Sequence, residues 1–81
     1  MLMVYGMKIC PDTVACLEAL TKADIQFEYL DLAEKTANLK AFLKLRDSSP
    51  LFDAVRQEGN IGIPCFQRED GGITLNWQDV M

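Results

Sequence analysis

The sequence predicts an α/β fold in which a mixed four-stranded sheet is flanked by helices on both faces. Short apolar runs alternate along the chain with segments whose apolar residues recur every three or four positions. Near the end, Gly71-Gly72 separates two short strand-like segments, which is typical of a β-hairpin. A strand-helix-strand unit favours parallel pairing through a right-handed crossover, and the hairpin adds an antiparallel pair. The predicted sheet is therefore mixed.

The first half of the chain is predicted to form a strand, a helix and a second strand. Residues 2–5 are an apolar run typical of a buried strand. A helix is predicted over residues 11–23, because Pro11 is favoured at the first helical position. Its inward stripe is predicted to contain Thr13, Cys16, Leu17, Leu20 and Ala23. Residues 25–32 alternate between apolar and polar side chains, as a half-buried strand does.

The second half is predicted to contain two helices and the hairpin. A helix over residues 36–46 is predicted to bury Leu39, Phe42 and Leu43. Ser49 and Pro50 are a cap and a first-turn residue for a short helix, whose inward residues are predicted to be Leu51, Phe52 and Val55. A strand is predicted over residues 61–67, although proline within a strand requires an edge position or special geometry.

Composition limits the classes of function. The 81 residues suit a single domain, residues 1–81, and the net charge of −4 disfavours nucleic acid and anionic membrane surfaces as partners. Neither a targeting segment nor a membrane span is visible, so we expect a cytoplasmic protein with free thiols, presumed monomeric. The chain has no histidine, which excludes Cys-His catalysis and disfavours a metal site.

Cys10 is the candidate nucleophile. A thiol attacks disulfides as the thiolate, and the unpaired N–H groups and dipole at a helix N-terminus favour that form. Cys10 directly precedes the predicted helix, and Pro11 fixes the first turn. Lys8 adds a nearby positive charge, whereas the carboxylate of Asp12 opposes the thiolate. The alternative interpretation is an incidental cysteine at a helix start.

Two segments resemble the glutaredoxins of the thioredoxin superfamily. Residues 5–13 (Y-G-M-K-I-C-P-D-T) resemble the first strand and active-site loop, and residues 62–66 (G-I-P-C-F) resemble the cis-proline segment. The similarity is greatest to small bacterial glutaredoxin-like proteins with a C-P-D-T motif. The resemblance implies a thioredoxin-like fold of glutaredoxin type that lacks the usual C-terminal helix.

The resemblance also implies roles for individual residues. Cys10 matches the nucleophile, Pro64 matches the cis-proline beside it, and Ile63 would offer its backbone to an extended substrate such as glutathione. Thr13 stands where dithiol members have a second cysteine, so a single-thiol route with glutathione as co-substrate is implied. The family's acidic segment after the last strand is replaced by residues 76–79, where only Asp79 is a candidate substitute.

Several residues have two interpretations. Cys16 lies about 9 Å along the helix from Cys10, beyond the roughly 7 Å between Cα atoms that a disulfide spans, so a core residue is favoured over a second thiol. Cys65 is interpreted as a buried residue or as a thiol that traps the mixed disulfide on Cys10. Thr13 is expected to bond the backbone or the Cys10 thiolate. Four basic residues form a solvated helix face or contact a carboxylate: Lys35, Lys40, Lys44 and Arg46. Trp77 is expected either to cover apolar core that the missing C-terminal helix leaves open or to mark a partner-binding surface.

The predicted function is thiol–disulfide exchange linked to glutathione, with glutathione or a glutathionylated or disulfide-bearing protein as partner. No tightly bound cofactor is expected. Two alternatives remain at this point. One is a non-catalytic protein that binds glutathione, a partner or an iron–sulfur cluster, although cluster-holding relatives usually carry C-G-F-S. The other is a redox sensor in which Cys10 pairs with Cys65 or Cys16 under oxidation.

Overall fold

The computed structural model describes all residues from Met1 to Met81. The strands are β1 (Leu2–Gly6), β2 (Phe27–Asp31), β3 (Cys65–Gln67) and β4 (Ile73–Thr74), and the helices are α1 (Pro11–Lys22), α2 (Thr36–Ser48) and α3 (Asp53–Gln57). Two 3-10 helices lie at Pro50–Phe52 and Trp77–Val80. No helix has both the length and the apolar character needed to cross a membrane.

The four strands form one mixed sheet in the order β2-β1-β3-β4. β1 and β2 are parallel and pair Leu2 with Phe27 through Gly6 with Asp31, whereas β3 runs antiparallel to both β1 and β4. The predicted mixed sheet, its parallel crossover and its final hairpin are thereby confirmed. Because β3 is antiparallel to β1, the end of β1 lies beside the start of β3.

Each face of the sheet carries its own apolar core. Along β1, Val4 packs on the face covered by α1, and Tyr5 packs on the face covered by α2 and the Pro50–Phe52 turn. The first core buries Val4, Cys16, Leu20 and Phe66, and the second buries Tyr5, Leu32, Phe42, Phe52 and Cys65. Successive side chains of β1 and β3 point to opposite faces of the sheet, and each face is covered by helices, as the sequence predicted.

Several boundaries and burial predictions were wrong. The strand predicted over residues 61–67 begins only at Cys65, since Pro64 has no N–H to donate and Gly62 adopts a positive φ of 95°. β2 begins at Phe27 because the chain first turns at Asp24, where φ is 59°. These residues mark where local backbone geometry interrupts an otherwise regular apolar pattern.

Three residues predicted to face inward are exposed. Ala23 lies at the end of α1, Leu43 is turned toward solvent, and Leu51 is likewise exposed. In α2 the inward side is formed by Phe42 with Leu39 and Leu45 instead. The inward stripe of α2 is therefore rotated away from Leu43 toward Leu45.

Candidate functional site

Cys10 occupies the N-cap position of α1, with Pro11 at the first helical position. Its backbone is extended, its N–H donates to the Met7 carbonyl at 3.0 Å, and its carbonyl accepts from the Val14 N–H at 3.1 Å. The side chain makes no capping hydrogen bond, and the residue is half-buried. The thiol therefore lies at the positive end of a twelve-residue helix and remains open to solvent.

A cleft of about 680 Å³ separates Cys10 from the segment that precedes β3. We name residues 7–10 the thiol loop, of which Met7, Ile9 and Cys10 line the cleft, and residues 59–64, which also line it, the proline loop. Ile63 and Pro64 both line it, and the Ile63–Pro64 peptide bond is cis, as the resemblance implied. The sequence-predicted residues Cys10, Ile63 and Pro64 therefore lie together.

The register of the sheet brings these loops together. The thiol loop leaves the end of β1, and the proline loop enters the start of β3, where Tyr5 pairs with Cys65. Ile63 lies just outside the sheet, and no backbone–backbone hydrogen bond within the chain involves its N–H or C=O. An extended substrate can therefore pair with that backbone while one of its atoms reaches Cys10.

The thiol loop is bound through its backbone by the buried carboxylate of Asp31. Asp31, at the end of β2, is 6% exposed. Its carboxylate accepts hydrogen bonds from the Lys8 N–H at 3.3 Å, the Ala33 N–H at 2.8 Å and the Tyr29 hydroxyl at 2.7 Å. The sequence did not single out Asp31, because its contact with Lys8 depends on the parallel pairing of β1 with β2.

These contacts change the titration of both partners. The hydrogen bond from Tyr29, followed by the backbone N–H groups of Ala33, Lys8 and Glu34, holds the pKa of Asp31 below its ordinary value against the opposing effect of burial. Burial first, and then the bond to Asp31, raises the pKa of Tyr29. Asp31 therefore stays ionised and Tyr29 stays neutral at pH 7, which keeps Tyr29 as a donor.

Thr13 lies against the end of β1 instead of bonding the Cys10 thiol. Its side chain is fully buried, and its hydroxyl accepts from the Met7 N–H at 3.5 Å. A Cβ atom added to Gly6 would lie 2.5 Å from Cγ2 and 2.7 Å from Oγ1 of Thr13. Glycine at position 6 is therefore required by this close approach, and the backbone-bonded interpretation of Thr13 is confirmed.

The other predicted supporting residues are divided between the cleft and its surroundings. Asp12 is exposed and lines the cleft, and Pro11 is exposed beside it. Lys8 is exposed, and only its backbone N–H takes part in the contact with Asp31. Asp79 does not line the cleft, since its carboxylate accepts from the Thr74 hydroxyl at 2.7 Å near the far end of β4.

The two remaining thiols are buried on opposite faces of the sheet. Cys16 packs in the core beneath α1, and Cys65 is wholly buried in the core beneath α2. Burial raises the pKa of the Cys65 thiol to about 12 and, together with Asp12 and Cys10, raises the pKa of Cys16. All three cysteines are free. Cys16 and Cys65 are thus core residues in the folded chain, the favoured interpretation of each.

Arg46, on α2, binds the backbone of the proline loop, on the other side of the cleft from the thiol loop. Its Nε donates to the Ile61 carbonyl at 2.9 Å, and a terminal guanidinium nitrogen donates to the Asn60 carbonyl at 2.8 Å. Arg56 in turn binds the Arg46 carbonyl and the Asp53 carboxylate. The sequence grouped Arg46 with three lysines as a solvated or carboxylate-binding face, and the structure instead gives it backbone carbonyls as partners.

No three or more Cys, Asp or Glu side chains come together in an arrangement that holds a metal ion. The site itself offers one accessible thiol at a helix N-terminus, a free backbone N–H and C=O at Ile63, and an apolar cleft between them. Such an arrangement suits nucleophilic attack by sulfur on an extended ligand.

Comparison with known proteins gives one relative of similar size. The chain is 30% identical over 73 residues to an uncharacterized protein of Haemophilus influenzae, and the match covers 90% of this chain and 85% of that protein. No protein-family model matches the chain, and no solved structure matches it. The shared sequence extends over most of both chains.

Proposed function

This chain belongs to the same family as the Haemophilus influenzae protein, and we propose that it is a thiol–disulfide oxidoreductase acting through Cys10. The observation that carries the proposal is the shared cleft of Cys10, Ile63 and Pro64. A thiol at a helix N-terminus faces a segment whose backbone is free to pair with a substrate. This juxtaposition aligns a substrate disulfide with the attacking sulfur.

The order and pairing of the elements support a thioredoxin-like fold of glutaredoxin type. β1, α1 and β2 form a parallel crossover unit, and the β3-β4 hairpin continues the sheet on the other side of β1. A 3-10 helix at Trp77–Val80 follows β4, at the position of the usual C-terminal helix. Three free thiols suit a reducing compartment, which is the basis for proposing the cytoplasm.

The proposed reaction uses one protein thiol and two external thiols. The Cys10 thiolate attacks one sulfur of a substrate disulfide, a new S–S bond forms to Cys10, and the other sulfur leaves as a thiolate that takes up a proton. A glutathione thiolate then displaces the bound group from Cys10, and a second glutathione is needed whenever the first remains attached. Each cycle reduces one disulfide and oxidises two glutathiones to their disulfide.

The burial of the other two cysteines supports a reaction in which Cys10 is the only protein thiol that takes part. Burial disfavours ionisation at Cys16 and Cys65, whereas Cys10 is half-buried at the start of α1 and lines the cleft. A resolving thiol within the chain would have to come from one of these core residues. The single-thiol route therefore agrees with the burial of all but one cysteine.

The direct test is a glutathione-coupled assay on a small mixed disulfide, comparing the wild type with Cys10→Ser. We expect the variant to retain no activity above the uncatalysed rate, because serine cannot form the mixed disulfide. Cys16→Ala is the matched control, since it also removes a thiol and should keep most of the activity. Equal rates for the wild type and Cys10→Ser would overturn the proposal.

A further inference from the structure

The cleft at Cys10 continues past Pro64 into a second hollow of about 320 Å³. Asp12, Ile63, Pro64 and Leu75 line both spaces, so the two form one surface on either side of the proline. The second hollow is bounded on α1 by small residues, and on its far side by Trp77. The surface is therefore long enough to extend well beyond a single disulfide.

This surface is apolar and contains no basic side chain. Ile9 is 86% exposed and Ile61 is 51% exposed, and both line the first space, while the 37% exposed Trp77 lines the second. Asp12 is the one charged residue that lines either space. Exposed apolar side chains concentrated around a nucleophile indicate a binding surface, and its electrostatic preference is set by a carboxylate.

We propose that this surface receives an extended polypeptide whose reactive cysteine lies between apolar residues and near a basic residue. The proposal rests on the proposed function, and it adds that the protein binds the polypeptide half of the substrate disulfide. On this basis Cys10 attacks the sulfur of the polypeptide cysteine, and glutathione, when it is the other half of the disulfide, is the leaving group.

Charge complementarity argues for the polypeptide over glutathione as the bound half. Free glutathione carries two carboxylates, which are usually bound by Lys, Arg or unpaired N–H groups. The surface has no Lys or Arg, and Asp12 lies in the first turn of α1, where those N–H groups are. A polypeptide has no carboxylate at its chain links, and a basic side chain on it would be attracted to Asp12.

The two spaces can each hold one of the apolar residues that flank the reactive cysteine of the bound polypeptide. Ala15 and Ala19 leave room on α1 for one apolar side chain, which would lie against the indole of Trp77. A second apolar side chain would lie beside Ile61 in the first space. Between them, Ile63 can pair with the polypeptide backbone, so the cysteine would lie opposite Cys10.

The step balances without an additional oxidant. The Cys10 thiolate forms a disulfide with the polypeptide sulfur, the polypeptide–glutathione S–S bond breaks, and glutathione leaves as a thiolate. A glutathione thiolate then attacks the Cys10 sulfur and releases the polypeptide thiolate, and another regenerates Cys10 as glutathione disulfide departs. Two glutathiones are consumed, one is released in the first step, and the polypeptide cysteine is reduced.

The test identifies the group left on Cys10 after a single turnover. The probe is a synthetic peptide with one glutathionylated cysteine between two leucines and a lysine beside one of them, mixed with the wild-type protein and quenched in acid before mass spectrometry. We expect the peptide mass on Cys10. The glutathione mass on Cys10 would overturn this inference and leave the proposed function intact, whereas no adduct of either kind would overturn the proposed function itself.

Two further comparisons test the nature of the surface. A peptide in which glutamates replace the lysine and both leucines should react more slowly by about fivefold or more, and Asp12→Asn should reduce the difference. Ala15→Leu fills the second space from an exposed helix position and should slow the leucine peptide, whereas Val14→Leu, outside both spaces, should not. Equal rates for the two peptides, or equal effects of the two leucine variants, would overturn the proposal.

Discussion

The two sides of the Cys10 cleft are held by charged side chains of opposite sign that bind backbone groups. The thiol loop is fixed by Asp31, a buried carboxylate that accepts from the Lys8 N–H. The proline loop is fixed by Arg46, a half-buried guanidinium that donates to the Ile61 and Asn60 carbonyls. In both cases one side chain reaches from a regular element to a loop and sets its position.

The difference in burial gives the two loops different tolerance to change. When the buried Asp31 is replaced, the part-buried N–H groups of Lys8 and Ala33 lose an acceptor that water replaces less easily than at an exposed site. When Arg46 is replaced, the Ile61 and Asn60 carbonyls are near the surface, where water can take over. The position of Cys10 is therefore rigidly specified, whereas the proline loop is adjustable at modest cost.

The largest effect is expected from Gly6→Ala, which adds a methyl group under the thiol loop. The new Cβ would lie 2.5 Å from Cγ2 of the fully buried Thr13, so the first turn of α1 must shift. We expect a loss of roughly 3 kcal/mol in the free energy of unfolding, measured in urea, together with slower alkylation of Cys10. Adding Thr13→Ala should recover part of the loss, and a strictly additive pair would contradict the proposed contact.

A smaller effect is expected from Asp31→Asn, which keeps the shape of the side chain and removes its charge. The amide can accept from Ala33 but then turns its nitrogen toward both the Lys8 N–H and the Tyr29 hydroxyl, so we expect a loss of about 2 kcal/mol at pH 7. Asp47→Asn is the control, because it makes the same charge change at an exposed position. Equal urea midpoints for the two variants would show that the carboxylate does not hold the loop.

The same variant has a pH signature. The pKa of Asp31 is depressed in the folded protein, so its contribution to stability is fully present above the unfolded value of about 4 and is lost as pH falls through the folded value. The wild type should therefore lose its advantage over Asp31→Asn as pH falls below about 4. An advantage that stays constant from pH 5 to pH 2 would contradict the depressed pKa.

The smallest effect on stability is expected from Arg46→Met, at about 1 kcal/mol, because its contacts lie near the surface. Its main effect should be a severalfold higher KM for the disulfide substrate with kcat little changed, because in the proposed function the proline loop contacts the substrate and not the thiol. Arg46→Lys should behave like Arg46→Met, because an ammonium group cannot reproduce the fork of two hydrogen bonds. Lys44→Met is the control on the same helix, and a normal KM in Arg46→Lys would show that only charge matters.

What the sequence could predict of this site is what local patterns encode. Cys10 before Pro11 marks the start of a helix, and the helix itself then sets the orientation of the thiol. The strand-helix-strand pattern predicts the parallel pairing of β1 with β2, and the hairpin predicts the antiparallel pairing of β3 with β4. That Pro64 lies beside Cys10 was implied by the resemblance to glutaredoxins, because local patterns do not give the direction of β3 relative to β1.

What the sequence could not predict depends on register and on loops that meet in three dimensions. Asp31 reaches Lys8 only because Gly6 pairs with Asp31 across β1 and β2. Arg46 has no sequence feature that separates it from the neighbouring lysines, yet its reach to Ile61 gives it a distinct role. Asp79, chosen by analogy, binds Thr74 because the turn after β4 directs it away from the cleft.

The sheet separates the sulfur atoms of Cys16 and Cys65. Cys16 lies beneath α1 on one side, and Cys65 lies beneath α2 on the other, paired through its backbone with Tyr5. A cystine between them would require the β1–β3 ladder to separate. While the fold is intact, neither of these two buried cysteines can therefore pass a disulfide across the sheet to the other.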